Sequence, residues 1–264
     1  IPVNKKNFTW KINLNLTHYK NKITYLPDEK KTTVMDGHGG YMNGSRYYGE
    51  DLPINTWYMK RFAGLSEDGL SLWYYTDKET NEEKTTTTYS TGDFYLCGDP
   101  NPDLYGGFGT SITFHGFDLS TQFSYLVGGL TYDYGYAGMM GNPTATSVGN
   151  RWHKDVLKAW SPENPSSTIP RWHFNDLNTT GSSDRFLIDG SYLNLQNIQV
   201  GYTLPDSWTS HLKIKNLRLY FVCDNVYYWS KRKGLDPRRS ISGVGTSGKI
   251  APFRTYSGGI SLQF

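Results

Sequence analysis

Phe8-Thr9-Trp10-Lys11-Ile12-Asn13-Leu14-Asn15-Leu16-Thr17 alternates without a break. Phe8, Trp10, Ile12, Leu14 and Leu16 fall on one side; Thr9, Lys11, Asn13, Asn15 and Thr17 fall on the other. Side chains along a strand point to opposite faces with a period of two, so this run reads as a strand with one apolar and one polar face. A tilted membrane-crossing strand needs about 9–11 residues, whereas strands of soluble domains average about 5–6. The length of the run therefore favours an all-β transmembrane barrel over a soluble two-sheet sandwich.

The pattern repeats along the chain. Tyr105 to Phe114 places Phe108, Thr110, Ile112 and Phe114 on one face, and His115-Gly116 forms a turn. Phe117, Leu119, Thr121, Phe123, Tyr125 and Val127 then alternate with Ser120, Gln122 and Ser124. Leu217, Leu219, Phe221 and Cys223 alternate with Arg218, Tyr220 and Val222. The last residues place Tyr256, Gly258, Ile260 and Leu262 on one side and close on the aromatic Phe264. Between Tyr192 and Leu204 the parity changes: Leu193 and Leu195 share one phase, Ile198, Val200, Tyr202 and Leu204 the other. A β-bulge near Gln196-Asn197 reconciles the two, because one inserted residue shifts the alternation by one. Weaker strand signals at about 54–65, with imperfect alternation, and at Leu70–Tyr75 bring the expected number to eight.

The connections carry the topology. The first link, 19–53, is long; the rest run short (66–69), long (77–103), short (115–116), long (128–190), short (205–213) and long (226–251). Successive hairpins open to opposite ends of a sheet, so every long loop falls at one end. Bacterial outer-membrane barrels have this asymmetry. The 128–190 link carries one helix candidate, Asn150 to Trp160.

Composition narrows the function. No run of about 18 apolar residues exists, which excludes a helical span but not a barrel, whose strands alternate and so have low mean hydropathy. Aromatic residues make up 16% of the chain, and Tyr and Trp suit membrane interfaces and sugar-binding surfaces alike. The net charge of +3 is scattered, with no basic stripe to suggest nucleic acid. Cys97 and Cys223 show no metal-ligand spacing and read as incidental. The histidines are dispersed; His153 and His173, the one pair within a loop, read as solvated side chains rather than metal ligands. Gly106-Gly107 and Gly258-Gly259 lie within strands and lack the following helix of a phosphate loop. No catalytic constellation, metal site or cofactor is expected. The opening Ile1-Pro2-Val3-Asn4 reads like a turn, and the chain is expected to be a C-terminal piece of something longer.

Tyr192-Leu193-Asn194-Leu195-Gln196-Asn197-Ile198-Gln199-Val200-Gly201-Tyr202-Thr203-Leu204-Pro205 resembles the "YLRLKNIQLGYTLP" stretch of the SusC/RagA-like TonB-dependent outer-membrane transporters of Bacteroidetes. Further matches fall in order: Trp10 to Leu26, Gly98-Asp99-Pro100-Asn101-Pro102 with Tyr105-Gly106-Gly107-Phe108, Gly116-Phe117-Asp118-Leu119, Gly234-Leu235-Asp236-Pro237, and Pro252-Phe253-Arg254-Thr255-Tyr256. Asn194 departs from the family's usual Arg. The resemblance implies a plugged barrel of about 22 strands, of which residues 1–264 form the C-terminal portion, without the plug and N-terminal strands. It also implies active import at the outer membrane, with long loops outside the cell and the C-terminus in the periplasm. The implied partners are a SusD-like surface lipoprotein, TonB acting through an N-terminal region, and the rest of the barrel. The implied cargo is an oligosaccharide, alternatively a peptide.

Specificity is commonly carried by loops on a rigid scaffold. Loop 128–190 holds Trp152, Trp160, Trp172, Asp176 and Asn178; loop 226–251 holds Trp229, Arg232, Arg238 and Arg239, with Tyr227 and Tyr228 at its base. Aromatic faces beside carboxylates and amides suit a sugar, with its apolar C–H faces and rim of hydroxyls. Trp152, Trp160, Trp172, Asp176, Asn178 and Trp229 are the candidate substrate contacts; the competing reading puts these aromatics in the membrane girdle or a partner interface. Asn13, Asn15, Gln122 and Arg218 are expected on the lumen wall. A soluble carbohydrate-binding sandwich and a passive porin or adhesin barrel are the rival readings.

Overall fold

The computed structural model describes residues 2–144, 151–176, 178–179, 181–209, 214–232, 234, 236, 238, 242–244 and 252–264. Its largest element is a seven-stranded antiparallel sheet: β1 (Val3–Lys5), β2 (Phe8–Thr17), β3 (Leu104–Phe114), β4 (Phe117–Val127), β5 (Tyr192–Thr203), β6 (Asn216–Ser230) and β7 (Thr255–Gln263). Strand order follows chain order, so the sheet is an up-and-down meander. The β3–β4 turn is His115-Gly116, both at positive φ (47° and 85°). That is the mirror-image turn whose twist matches the flanking strands.

Register fixes which side chains share a face. Leu14 lies opposite Phe108, Phe108 opposite Phe123, and Phe123 opposite Leu195. One step along, Asn13, Gly109, Gln122, Asn197 and Asp224 form a polar row on the other face. The apolar face is bare: Leu14 is 67% exposed and Ile260 66%. A soluble sandwich would bury this face against a second sheet about 10 Å away; among the described residues nothing covers it. At β5 the register shifts between Leu195 and Asn197 against β6, and opposite Gln122/Phe123 against β4. The expected bulge is there, and it lets both Leu195 and Ile198 face the apolar side.

Two segments expected in this wall are not in it. The 54–65 segment divides into Thr56–Lys60, which joins a five-stranded sheet, and Phe62–Leu65, which pairs with Ser71–Thr76 in a three-stranded sheet. All five residues of Thr56–Lys60 are buried, so the strand has no solvent or lipid face and no reason to alternate. Removing two strands together leaves the alternation of ends intact, so the long links still gather at one end. Those links are folded. Thr33–Met35, His38–Asn43 and Arg46–Gly49 occupy the first, and Glu83–Thr86 and Phe94–Leu96 the 77–103 link.

The link between β4 and β5 pairs Leu130–Tyr132 with Leu187–Asp189 and carries a helix, Tyr134–Met139, whose first turn is capped by the Asp133 side chain. The helix expected over Asn150–Trp160 is only a 3-10 turn, Lys154–Lys158, capped by His153; Asn150 lies outside the described residues. Trp57, Met59, Tyr132, Met140 and Phe186 form the core, with Cys97, Leu130, Val156 and Ile169 packed against it. This core joins residues 18–103 to the β4–β5 link, and Tyr132 N–H donates to the Gly243 carbonyl at 2.8 Å from the β6–β7 link. The three long links therefore pack into one cap at a single end of the sheet.

Candidate functional site

The polar face of the sheet has two built regions. Near the end away from the cap, Arg218 on β6 makes a forked pair with Asp118 on β4: Nε–Oδ1 2.9 Å and Nη2–Oδ2 2.6 Å. The guanidinium spans β5 at Gly201, where a Cβ would lie 2.5 Å from Arg218 Nη2. The glycine is required for the arginine to lie flat against the wall.

The second region is at the cap end, over the bulge. A bulge re-aims side chains and increases local twist, and here it opens a recess of about 620 Å³ lined by Tyr192, Asn194, Gln196, Asn197, Asp224 and Arg238, among others. Asn197 Nδ2 donates to Asp224 Oδ1 at 2.7 Å. Arg238 arrives from the β6–β7 link. It grips Asp236 with both forks (Nε–Oδ1 and Nη2–Oδ2, each 2.8 Å) and donates from Nη1 to Asn194 Oδ1 at 2.7 Å. Its guanidinium lies 4.8 Å from the centre of the Tyr228 ring. Asp236 and Asn194 are both buried. The carboxylate holds the Arg238 guanidinium charged, raising its already high pKa. Asn194, the position at which the resemblance expected Arg, thus receives a guanidinium from the loop instead.

The six residues singled out from sequence do not converge. Trp152 donates its indole N–H to the Gly141 carbonyl at 3.0 Å and packs edge-on against Trp172 at 5.5 Å, with Trp172 partly exposed. The Asp176 carboxylate accepts from Asn178 N–H (3.1 Å) and Thr179 Oγ1 (3.3 Å), and Asn178 Oδ1 accepts from Tyr89 N–H at 3.0 Å. Asp176 thus folds the β4–β5 link locally, and Asn178 ties that link to the 18–103 segment. Trp160 sits in a separate groove with Phe62 and Leu65. Trp229 is opposite Leu193 on the apolar face of β6, 4.8 Å from Tyr227. That position, at the cap end of the apolar face, fits the aromatic girdle rather than a cargo contact.

Among the loop cations, Arg232 pairs with buried Asp133 and lies over Tyr136, so it serves the cap. Arg239 lies outside the described residues. Arg185, in the cap beside the Phe62 and Phe186 rings, has its pKa lowered to about 10 by burial. Asn13, Asn15, Gln122 and Arg218 all share the polar face. Sequence reasoning missed Tyr192, Asn197, Asp224 and Asp236. The parity change at Gln196 was the available signal, since bulges mark places where a wall is reshaped.

The fold defined here is that of a transmembrane β-barrel wall with a folded cap at one end. The particular likeness is to TonB-dependent transporters. No protein-family profile matches the chain. It is 28% identical to TonB-dependent receptor P3 of Formosa agariphila, over 99% of this chain and 27% of that protein. It is 26% identical to TonB-dependent receptor SusC of Bacteroides thetaiotaomicron, over 100% of this chain and 25% of SusC. The solved structure of the RagAB peptide transporter superposes with a TM-score of 0.80 at 23% identity, covering 99% of this chain and 28% of that one. The "open-open" RagAB importer gives 0.77. The chain spans about a quarter of the length of the curated relatives it matches. The resemblance to SusC/RagA-like TonB-dependent transporters thus extends over nearly the whole chain.

Proposed function

We propose that this chain is part of the wall and outer cap of an outer-membrane barrel that imports a nutrient actively, powered through TonB. Residues 1–264 supply the C-terminal portion; the plug and remaining strands belong to the rest of the same transporter. The two-faced sheet carries this reading. Its bare apolar face, from Leu14 to Ile260, meets acyl chains, and its polar face, from Asn13 to Asp224, looks into the lumen. The cap lies outside the cell and the Phe264 end in the periplasm. A SusD-like lipoprotein closes over the cap. Cargo passes without chemical change, so the chain acts as a transporter and not an enzyme.

The cargo best suited to the mouth recess is an oligosaccharide. Asn194, Gln196, Asn197 and Tyr192 offer amides and a hydroxyl, Asp224 adds a carboxylate held by Asn197, and the charge of Arg238 is already met by Asp236. Such a lining complements a hydroxyl-rich molecule without negative charge, since the Asp224 carboxylate accepts hydrogen bonds and would repel an anion. Trp172, half exposed beside Trp152, supplies a sugar-stacking face at the cap. A peptide cargo is the second reading, favoured by the likeness to the RagAB peptide transporter. Purifying the complete transporter with its lipoprotein from the outer membrane, and identifying the retained ligand by mass spectrometry, tests both. An oligosaccharide is expected; retained peptides would replace the first reading by the second. A parent protein that stays soluble without detergent would overturn the transporter reading.

A further inference from the structure

Trp160 stands apart from the mouth, and its seat is built. Its backbone N–H donates to the Ile169 carbonyl at 2.8 Å, and Arg171 N–H donates to the Gly69 carbonyl at 2.9 Å. A Cβ on Gly69 would lie 2.3–2.5 Å from three adjoining indole atoms, so one face of the ring rests on the 66–69 turn. Ser167 Oγ donates to the Lys158 carbonyl at 2.6 Å and pins the loop beyond it. The remaining indole surface lines a groove of about 380 Å³ with Phe62, Leu65, Ser66, Ser166 and Thr168. That volume lies within the range of small-molecule clefts, about 300–1,000 Å³. Gly64 keeps the floor open: no atom lies within 4 Å of the place its Cβ would take.

The lining contains no charged side chain. An anionic ligand would lose its hydration without gaining a counterion, and burying an unpaired charge is costly. A wholly apolar ligand would leave the hydroxyl rim unpaired. An aromatic floor with a rim of hydroxyls matches a ring that is apolar on its faces and hydroxylated at its edge. We infer that this groove is a second saccharide site on the outer cap, separate from the barrel mouth. It stacks one neutral sugar ring on Trp160 and Phe62 and bonds its hydroxyls to Ser66, Ser166 and Thr168. The inference rests on the oligosaccharide reading above and adds a capture point outside the pore.

The test uses the complete transporter in detergent on an array of neutral oligosaccharides, uronate-containing oligosaccharides and peptides, with titration of each retained probe. Wild type is compared with Trp160→Ala, with Ser166→Arg, which fills the groove from its rim without touching the indole's seat, and with Asn194→Ala at the mouth. At least one neutral oligosaccharide should be retained, with a Kd weakened tenfold or more by both groove variants. Oligosaccharides that respond only to Asn194→Ala would overturn the groove and leave the cargo reading standing. Retention of peptides alone would overturn both. Retention of no probe, or of uronates alone, would overturn the groove.

Discussion

Replacing Phe123 by arginine should disable membrane folding, and replacing its neighbour Gln122 should not. Phe123 lies near the middle of β4, in the apolar row with Leu14, Phe108 and Leu195. Its ring stacks on Phe108 with centroids 4.5 Å apart. Losing that pair costs about 0.5–1.5 kcal/mol, and a cation on the lipid face near the midplane costs about 2–4 kcal/mol. Together these amount to about 2.5–5.5 kcal/mol, or roughly two to four powers of ten in the folding equilibrium. Gln122 sits in the polar row opposite Gly109 and Asn197, where an arginine reaches water and should shift stability by only about 0.5 kcal/mol. The assay is refolding of the complete transporter from urea into lipid vesicles, scored by the heat-sensitive mobility of the folded barrel. Equal yields for the two variants, or a worse yield for Gln122→Arg, would refute the assignment of faces.

Further outcomes follow from individual contacts. Arg238→Ala leaves the buried Asp236 carboxylate without its forked partner, a loss of about 3–5 kcal/mol for breaking a buried pair; the β6–β7 link should become protease-sensitive while the barrel stays folded. Gly201→Leu drives a side chain into Arg218 and Asp118 and should destabilise the wall by about 1–3 kcal/mol of overpacking, measured by urea titration. Asp77 closes the hairpin between Ser71–Thr76 and Glu83–Thr86; Lys84 and the Glu79 and Thr80 amides hold its pKa down to about 2. Its contribution is complete above the ordinary carboxylate pKa, near 3.8, and is lost as pH falls toward 2. Amide exchange in the hairpin, corrected for intrinsic rate, should speed up over that interval, and Asp77→Asn should abolish the dependence.

The wall was legible because one physical demand, lipid on one side and water on the other, writes a period of two into every strand. Even the bulge could be read, since Leu195 and Ile198 must both reach the apolar side. The cap was not legible by the same rule. Thr56–Lys60 is buried on both faces, so burial leaves no alternation, and one of its two neighbours, Phe94–Leu96, comes from far along the chain. The mouth was half legible. Tyr192 and Asn197 fall on opposite sides of the parity change, and the Asn194–Arg238 bond joins residues 44 apart in the chain, a distance over which no local pattern speaks. Trp160 and Trp229 looked alike as loop aromatics; one is seated on the Gly69 turn and the other belongs to a strand that runs on to Ser230.

Thr17 and Tyr105 are direct partners in the β2–β3 ladder, and Leu126 and Tyr192 are partners across β4–β5. Each of the first two cap segments therefore departs from the rim and returns to it at neighbouring strands, about 5 Å apart. The length of either segment is not set by the register of the wall below it, although the two share one core above the rim. A wall of this build thus leaves the segments above its rim free to vary in length while the cylinder keeps its register.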